Sequence, residues 1–282
     1  MYKSGLVLEG GGSRGIFTSG VLDAFLEKEI EFPYVIGVSM GSCNAASFIA
    51  KCRKRQHDIT INYINDKRYM SLSNIVKLGE YLDGEWIFGE LTYDLAPLDY
   101  DTFEKSNTVF CCVTANAKTG KAEYFYPKTL RERGCPEVRA SCSMPIATKG
   151  VVIGKDLYYD GGLIDSIPLE KALYDGCEKA VVILTQHRGY VKQPVNENVV
   201  KLIKKYPLTA QALLNRHEVY NKQLEYVYEK EKEGLALVIL PPCPLDCPTL
   251  EKSTAKLEAI YQLGYKQGLE NAEKVKEYIK SD

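Results

Sequence analysis

Residues 6–15 read LVLEGGGSRG. Leu6, Val7 and Leu8 form an apolar run that stops at Glu9 and gives way to Gly10, Gly11, Gly12, Ser13, Arg14 and Gly15. From Ile16 to Ile30 the pattern changes, with Phe17, Val21, Leu22, Phe25 and Leu26 recurring at helical spacing. Phe32-Pro33 ends that segment, and Tyr34 to Val38 is a second apolar run. A strand, a glycine turn, a helix and another strand imply a parallel pair, and so an α/β sheet.

The turn itself has two readings. Gly10, Gly12 and Gly15 satisfy G-x-G-x-x-G, the dinucleotide fingerprint. A dinucleotide site also needs a carboxylate near the end of the second strand for the ribose hydroxyls. Here that strand ends in Gly37-Val38-Ser39-Met40-Gly41, and the nearby acids Glu27, Glu29 and Glu31 all precede it. A phosphate-binding P-loop fails as well, because Ile16 stands where a lysine should follow Gly15. The context therefore excludes a nucleotide as partner.

What replaces the carboxylate is G-x-S-x-G on a strand-to-helix turn, the nucleophile elbow. Gly37 and Gly41 let the backbone turn tightly, and small residues (Ser42, Ala45, Ala46) open the helix that follows. Ser39 at a helix start also sits where the helix dipole favours negative charge. Neighbouring parallel strands open their loops at one sheet edge. The N–H groups of Gly10, Gly11 and Gly12 can then face a carbonyl attacked by Ser39 and stabilise its oxyanion, each donor by about 2.7–4 kcal/mol. Arg14 reads as holding that loop, adding positive potential, or as an ordinary ion-paired arginine.

A serine nucleophile needs a base. Of the three histidines, His57 lies in the basic KCRKRQHD and His217 in the helical LLNRHEVYNK. Only His187, after the strand-like VILTQ, could complete a Ser39–Asp160–His187 triad. The triad's usual fold has several strands before the nucleophile, and here only one strand and one helix precede the elbow's own strand. Asp160 is the other candidate. It ends the run Tyr158-Tyr159 and precedes Gly161 and Gly162, which permit unusual backbone angles and close approach. It reads equally as a turn aspartate, because D-G is a common turn signal.

The segments EGGGSRG, GVSMG and YYDGGLIDSIPL, in this order, resemble the patatin-like phospholipases, particularly the bacterial ones. The resemblance covers residues 5–187 and includes VRASCSMPI. It implies a three-layer α/β/α sandwich with a mostly parallel sheet and a Ser–Asp dyad without histidine. Carried over, Ser39 is the nucleophile, Asp160 its proton acceptor, and Gly10, Gly11 and Gly12 the oxyanion donors. Arg14, Gly15, Gly37, Gly41, Gly161 and Gly162 support them, and neither metal nor other cofactor is used. One departure is Ser166, where the family leads one to expect Asn. A free aspartate, with pKa about 3.9, is a weak base at neutral pH. Burial among Tyr158, Tyr159, Leu163 and Ile164 would raise it.

The remaining composition bounds the partners. The chain has 282 residues and net charge −1, so nothing electrostatic favours nucleic acid. No apolar run approaches the ~20 residues of a membrane-spanning helix. The first residues lack the pattern of a cleaved signal peptide. Nine cysteines, several in apolar runs such as VFCCV, read as reduced thiols of a cytoplasmic protein. Cys243 and Cys247 lack two further ligands at zinc spacing. Residues 5–187 are expected to form the catalytic domain and 188–282 a mainly helical segment packed on the same core. In the latter, Leu257, Tyr261, Tyr265, Leu269, Ala272 and Ile279 form an apolar stripe. Residues 57–107, rich in tyrosine and carrying the only tryptophan, Trp86, show no sustained period. They either border an acyl pocket or pack into the core. The expected function is a serine acyl hydrolase on lipid esters, with transient contact at a membrane surface. The alternatives are a triad esterase or thioesterase on soluble substrates, and a non-catalytic lipid-binding regulator.

Overall fold

The computed structural model describes residues 1–200, 203 and 206–281. Strand β1 (Gly5–Leu8) leads through the glycine loop into helix α1 (Gly15–Glu27), then β2 (Tyr34–Val38) and α2 (Met40–Ile49). Next come α3 (Arg55–Tyr63), α4 (Leu72–Leu78), α5 (Gly84–Trp86), which runs into a π-helix at Ile87–Leu95, and α6 (Tyr100–Lys105). The chain returns to the sheet with β3 (Val109–Asn116) and β4 (Ala122–Phe125), followed by α7 (Pro136–Ser141), β5 (Val151–Ile153) and β6 (Asp156–Asp160). It closes with α8 (Leu169–Tyr174), β7 (Ala180–Ile183), α9 (Glu197–Val200), α10 (Pro207–Lys232), β8 (Ala236–Ile239) and α11 (Thr254–Lys280). The expectation for residues 188–282 includes 201, 202, 204, 205 and 282, which lie outside the described residues.

The eight strands form one sheet in the order β5-β6-β3-β2-β1-β7-β8, with β4 also paired to β3. The five strands from β3 to β8 are parallel, and β4, β5 and β6 add antiparallel pairs. Alternation along the parallel strands sorts their side chains into two layers. Leu6, Leu8, Val35, Val181, Ile183, Leu237 and Ile239 pack on one face with α1, α2 and α11. Val7, Ile36, Val38, Val182 and Ala236 pack on the other with α8 and α10. The result is the expected three-layer α/β/α sandwich.

The α1–α11 contact follows a different logic from the apolar stripe read in the sequence. Tyr265, Leu269 and Ile279 are only half-buried, whereas Gly264 and Gly268 are buried. A β-carbon on Gly264 would stand 2.0 Å from the Phe17 carbonyl oxygen, and one on Gly20 would stand 2.2 Å from that of Tyr261. The two helices thus meet backbone to backbone, and glycine is required by proximity. Periodicity weighted by side-chain size does not register such a line. Gly264→Ala should destabilise the protein by about 1–3 kcal/mol, as overpacking does. Gly89→Ala, whose new methyl meets nothing within 4 Å, should leave stability unchanged or slightly raised. Urea denaturation of both variants checks this pair of outcomes.

Candidate active site

Ser39 occupies the turn between β2 and α2 with φ 55° and ψ −127°, a region a non-glycine residue rarely enters. The elbow is fixed from both sides. A β-carbon on Gly37 would lie 2.5 Å from the Gly41 carbonyl oxygen, and one on Gly41 would lie 2.5 Å from that of Leu8. Below the turn, the Ser39 N–H donates to the Ser141 hydroxyl (2.9 Å). Ser141 in turn bonds Ser42, whose hydroxyl donates to the Gly37 carbonyl (2.7 Å). Ser141 lies within the VRASCSMPI segment, and sequence reasoning did not single it out.

The position of Asp160 follows from strand register. Strands β2 and β4 overlap on β3 at Cys112 and Val113, so they flank it on opposite sides. Strands β4 and β6 overlap at Thr114 and Ala115, so they too lie on opposite sides. Hence β2 and β6 share one side of β3 and run toward each other. Val38 is opposite Val113 and Asp160 opposite Thr114, so the two carboxyl ends meet. A β-carbon on Gly161 would fall 2.4 Å from the Val113 carbonyl oxygen, which explains the glycine after the aspartate.

Asp160 is 2% exposed. Its carboxylate accepts the Gly162 N–H (2.7 Å), and the Ser39 hydroxyl is among the groups that act on its charge. Burial pushes its pKa up to about 6, against the Ser39 hydroxyl, the Arg216 charge and the Gly162 N–H, which all favour the ionised form.

The glycine loop abuts Ser39. A β-carbon on Gly10 would lie 3.1 Å from the Ser39 β-carbon. The Gly10 N–H is directed at the Ser166 carbonyl (3.4 Å). The N–H groups of Gly11 and Gly12 meet no acceptor among the described residues. Ser13 donates its N–H to the Thr249 carbonyl, and Arg14 reaches the Cys247 carbonyl (3.1 Å), so the loop is tied to the chain before α11. Gly15 allows α1 to touch α2, where a methyl would meet the Met40 side chain at 2.4 Å.

Three residues of α10 brace both motifs from behind. Arg216 donates to the Gly162 carbonyl, which also accepts the Ser166 hydroxyl. Tyr220 donates to the buried Glu9 carboxylate (2.7 Å), and the Gln223 carbonyl accepts the Ser166 N–H (3.0 Å). Glu9 also accepts the Thr185 N–H. None of the three was legible beforehand, because helical spacing of polar residues resembles an exposed face.

No histidine bonds Ser39 or Asp160 among the described residues. His57 is held by Asp58 and Glu258, His217 faces the Leu214 carbonyl, and His187 packs against Tyr190 with its Nδ1 unpartnered. Among those residues no group of three or more His, Cys, Asp or Glu is arranged to hold a metal. No helix among them is long and apolar enough to cross a membrane.

In front of Ser39 lies an apolar cavity bordered by Gly12 and Ser13 of the loop and walled by Ile59, Phe88, Leu91 and Leu98. Residues 57–107 therefore supply much of its wall. Trp86 is not part of that wall: its ring packs near Tyr63 and beneath the Arg68 guanidinium (4.5 Å).

A family model described as patatin-like phospholipase matches residues 6–173, and a second, for a domain of unknown function, matches 206–280. The uncharacterized protein YjjU of Escherichia coli is 29% identical over 271 residues, covering 92% of this chain and 74% of YjjU. Lysophospholipase nte1 of Aspergillus niger is 27% identical over 310 residues, covering 96% of this chain, which spans only 18% of that protein. Among solved structures, VipD from Legionella pneumophila aligns with TM-score 0.47 and 11% identity over 96% of this chain and 67% of that one. With more than half its length in the first match, the chain belongs to the patatin-like phospholipase family, whose members are lipid ester hydrolases.

Proposed function

We propose that the chain cleaves carboxylic ester bonds of lipids with a Ser39–Asp160 dyad. The observation that carries this reading is the strand register that sets the buried Asp160 carboxylate beside Ser39 at the meeting point of β2 and β6. Ser39 attacks the ester carbonyl, and Asp160 takes the hydroxyl proton and passes it to the departing alcohol. The Gly11 and Gly12 N–H groups receive the oxyanion, and Gly10 sets their distance from the nucleophile. Water then attacks the acyl-enzyme, with Asp160 again accepting a proton. The acyl chain lies in the apolar cavity beside Ser39. Residues 6–173 form the catalytic portion, braced by the helical segment that follows.

Ser39→Ala and Asp160→Asn should each lower kcat on a short-chain ester by about a thousandfold or more, with circular dichroism unchanged. His187→Ala should keep most of the activity. A comparable loss in His187→Ala would replace the dyad with a triad.

The base must be ionised to work, so log kcat/KM should fall with unit slope as pH drops below about 6. Arg216 favours the ionised form of Asp160 and anchors Gly162. Arg216→Gln should therefore move the acid limb to higher pH while leaving KM for a neutral ester near wild type. A pH–rate profile of both proteins reads this out.

A further inference from the structure

Helix α4 is built inside out. Its buried residue is Asn74, whose amide donates to the Arg68 and Tyr81 carbonyls. Its apolar residues face solvent: Leu72 is 74% exposed, Val76 88%, Ile75 47% and Leu78 36%. Elsewhere large exposed apolar side chains such as Val152, Tyr174 and Val191 stand on separate elements, which is ordinary. Four on one seven-residue helix are not.

The placement of α4 matters as much as its composition. The helix is an excursion that starts and ends at a bridge between Met70 and Leu82. Both bridge residues, with Tyr69 between them and α3, line the cavity in front of Ser39. Two further exposed apolar residues adjoin this rim. Leu250 borders the cavity itself. Ile146, held at φ 78°, precedes Ala147, whose carbonyl accepts the Tyr81 and Leu82 N–H groups. A β-branched residue in that backbone region is strained, so Ile146 is kept outward against its own preference.

Three lysines border the patch, and its two adjoining acids, Glu80 and Glu251, are engaged with neighbouring groups. Lys77 is the only charged residue on α4. Lys149 reaches within 3.7 Å of where a Gly79 methyl would stand. Lys252 donates to the Met70 carbonyl and lies 5.7 Å from the Tyr81 ring centre. The nearby acid Glu80 is buried and accepts the Lys149 N–H.

We propose that α4, with Ile146 and Leu250, is the face that docks on an anionic lipid surface and places the cavity mouth against it. The occupant follows from size and charge. A helix of seven residues is about 10 Å long and about 10 Å wide, so it covers on the order of 100 Å², far short of the roughly 600 Å² or more that each partner buries in a stable protein interface. It suffices for an apolar tip seated at the headgroup boundary with lysines around it. Docking there delivers an acyl chain to the cavity without crossing water.

This inference rests on the acyl-hydrolase reading, and the test separates the two. Binding is measured by co-sedimentation of full-length Ser39→Ala protein with phosphatidylcholine vesicles containing phosphatidylglycerol, so no turnover is involved. Adding Leu72→Ser and Val76→Ser should weaken vesicle binding by about tenfold or more. In the otherwise wild-type chain the same pair should cut hydrolysis of vesicular phospholipid similarly, yet leave turnover of a short soluble ester unchanged. Raising salt, or Lys77→Gln with Lys149→Gln, should weaken binding to the anionic vesicles only. Equal sedimentation of the parent and the double serine variant overturns the proposal. So does a wild-type dimer, seen by sedimentation velocity, that the serine variant dissociates, because the face then belongs to a second copy. Failure of the soluble-ester assay in the wild type would instead count against the hydrolase reading.

Discussion

Two strands ending head to head along one side of β3 set the geometry on which the rest of the site depends. In a purely parallel sheet every strand presents its carboxyl end at the same edge, and neighbouring ends lie a strand spacing apart. Here β6 runs against β3 and continues the line of β2 from the other direction. The junction brings a serine and an aspartate together with little freedom for either. It also crowds the backbone, and the crowding accounts for the glycines. Gly37 and Gly41 clear the elbow, and Gly161 clears the Val113 carbonyl. The two short motifs are consequences of one close backbone approach.

The same junction sets the electrostatics. A carboxylate removed from water holds its proton more tightly, and Asp160 would be raised further without the three groups that favour its charge. These come from the Ser39 hydroxyl, from the turn's own Gly162 amide, and from the Arg216 guanidinium on a distant helix. The balance leaves a carboxylate that is ionised at neutral pH yet holds its proton more tightly than a free aspartate. Asp165, five residues on, is raised to about 6 by the same burial, but its bonds go to Tyr124 and Gln223. Position at the junction, and not the shift, distinguishes the two acids.

Legibility in the sequence followed the physics of each element. Strands buried on both faces are continuous apolar runs, so Leu6–Leu8, Tyr34–Val38 and Ala180–Ile183 could be read directly. The elbow was readable because a tight turn has few permitted residues. Residues 57–107 resisted because they serve two surfaces at once. Ile59, Phe88 and Leu91 face the cavity, while Leu72 and Val76 face outward, so no single period survives. The glycines joining α1 to α11 carry no hydropathy signal, and the Ser166 carbonyl facing the Gly10 N–H could not be read from spacing.

Arg216, Tyr220 and Gln223 were the least visible, and they say most about how the chain is organised. Spaced by four and three residues, they lie along one side of α10 and point at the sheet edge. Tyr220 reaches the carboxylate that precedes the glycine loop, while Arg216 and Gln223 reach the turn after Asp160. One rigid helix therefore spans the glycine loop and the turn after Asp160, the two loops that flank Ser39. Replacing Gln223 strips the Ser166 N–H of its acceptor, which is costly inside a protein, and replacing Arg216 or Tyr220 removes one of the two bonds that the Gly162 carbonyl or the Glu9 carboxylate receives. The segment matched by the second family model, 206–280, begins with this helix and ends with α11, whose glycines lock onto α1 on the opposite face. It grips the sheet from both sides, so that the spacing between Gly11 and Asp160 depends on residues far outside either motif.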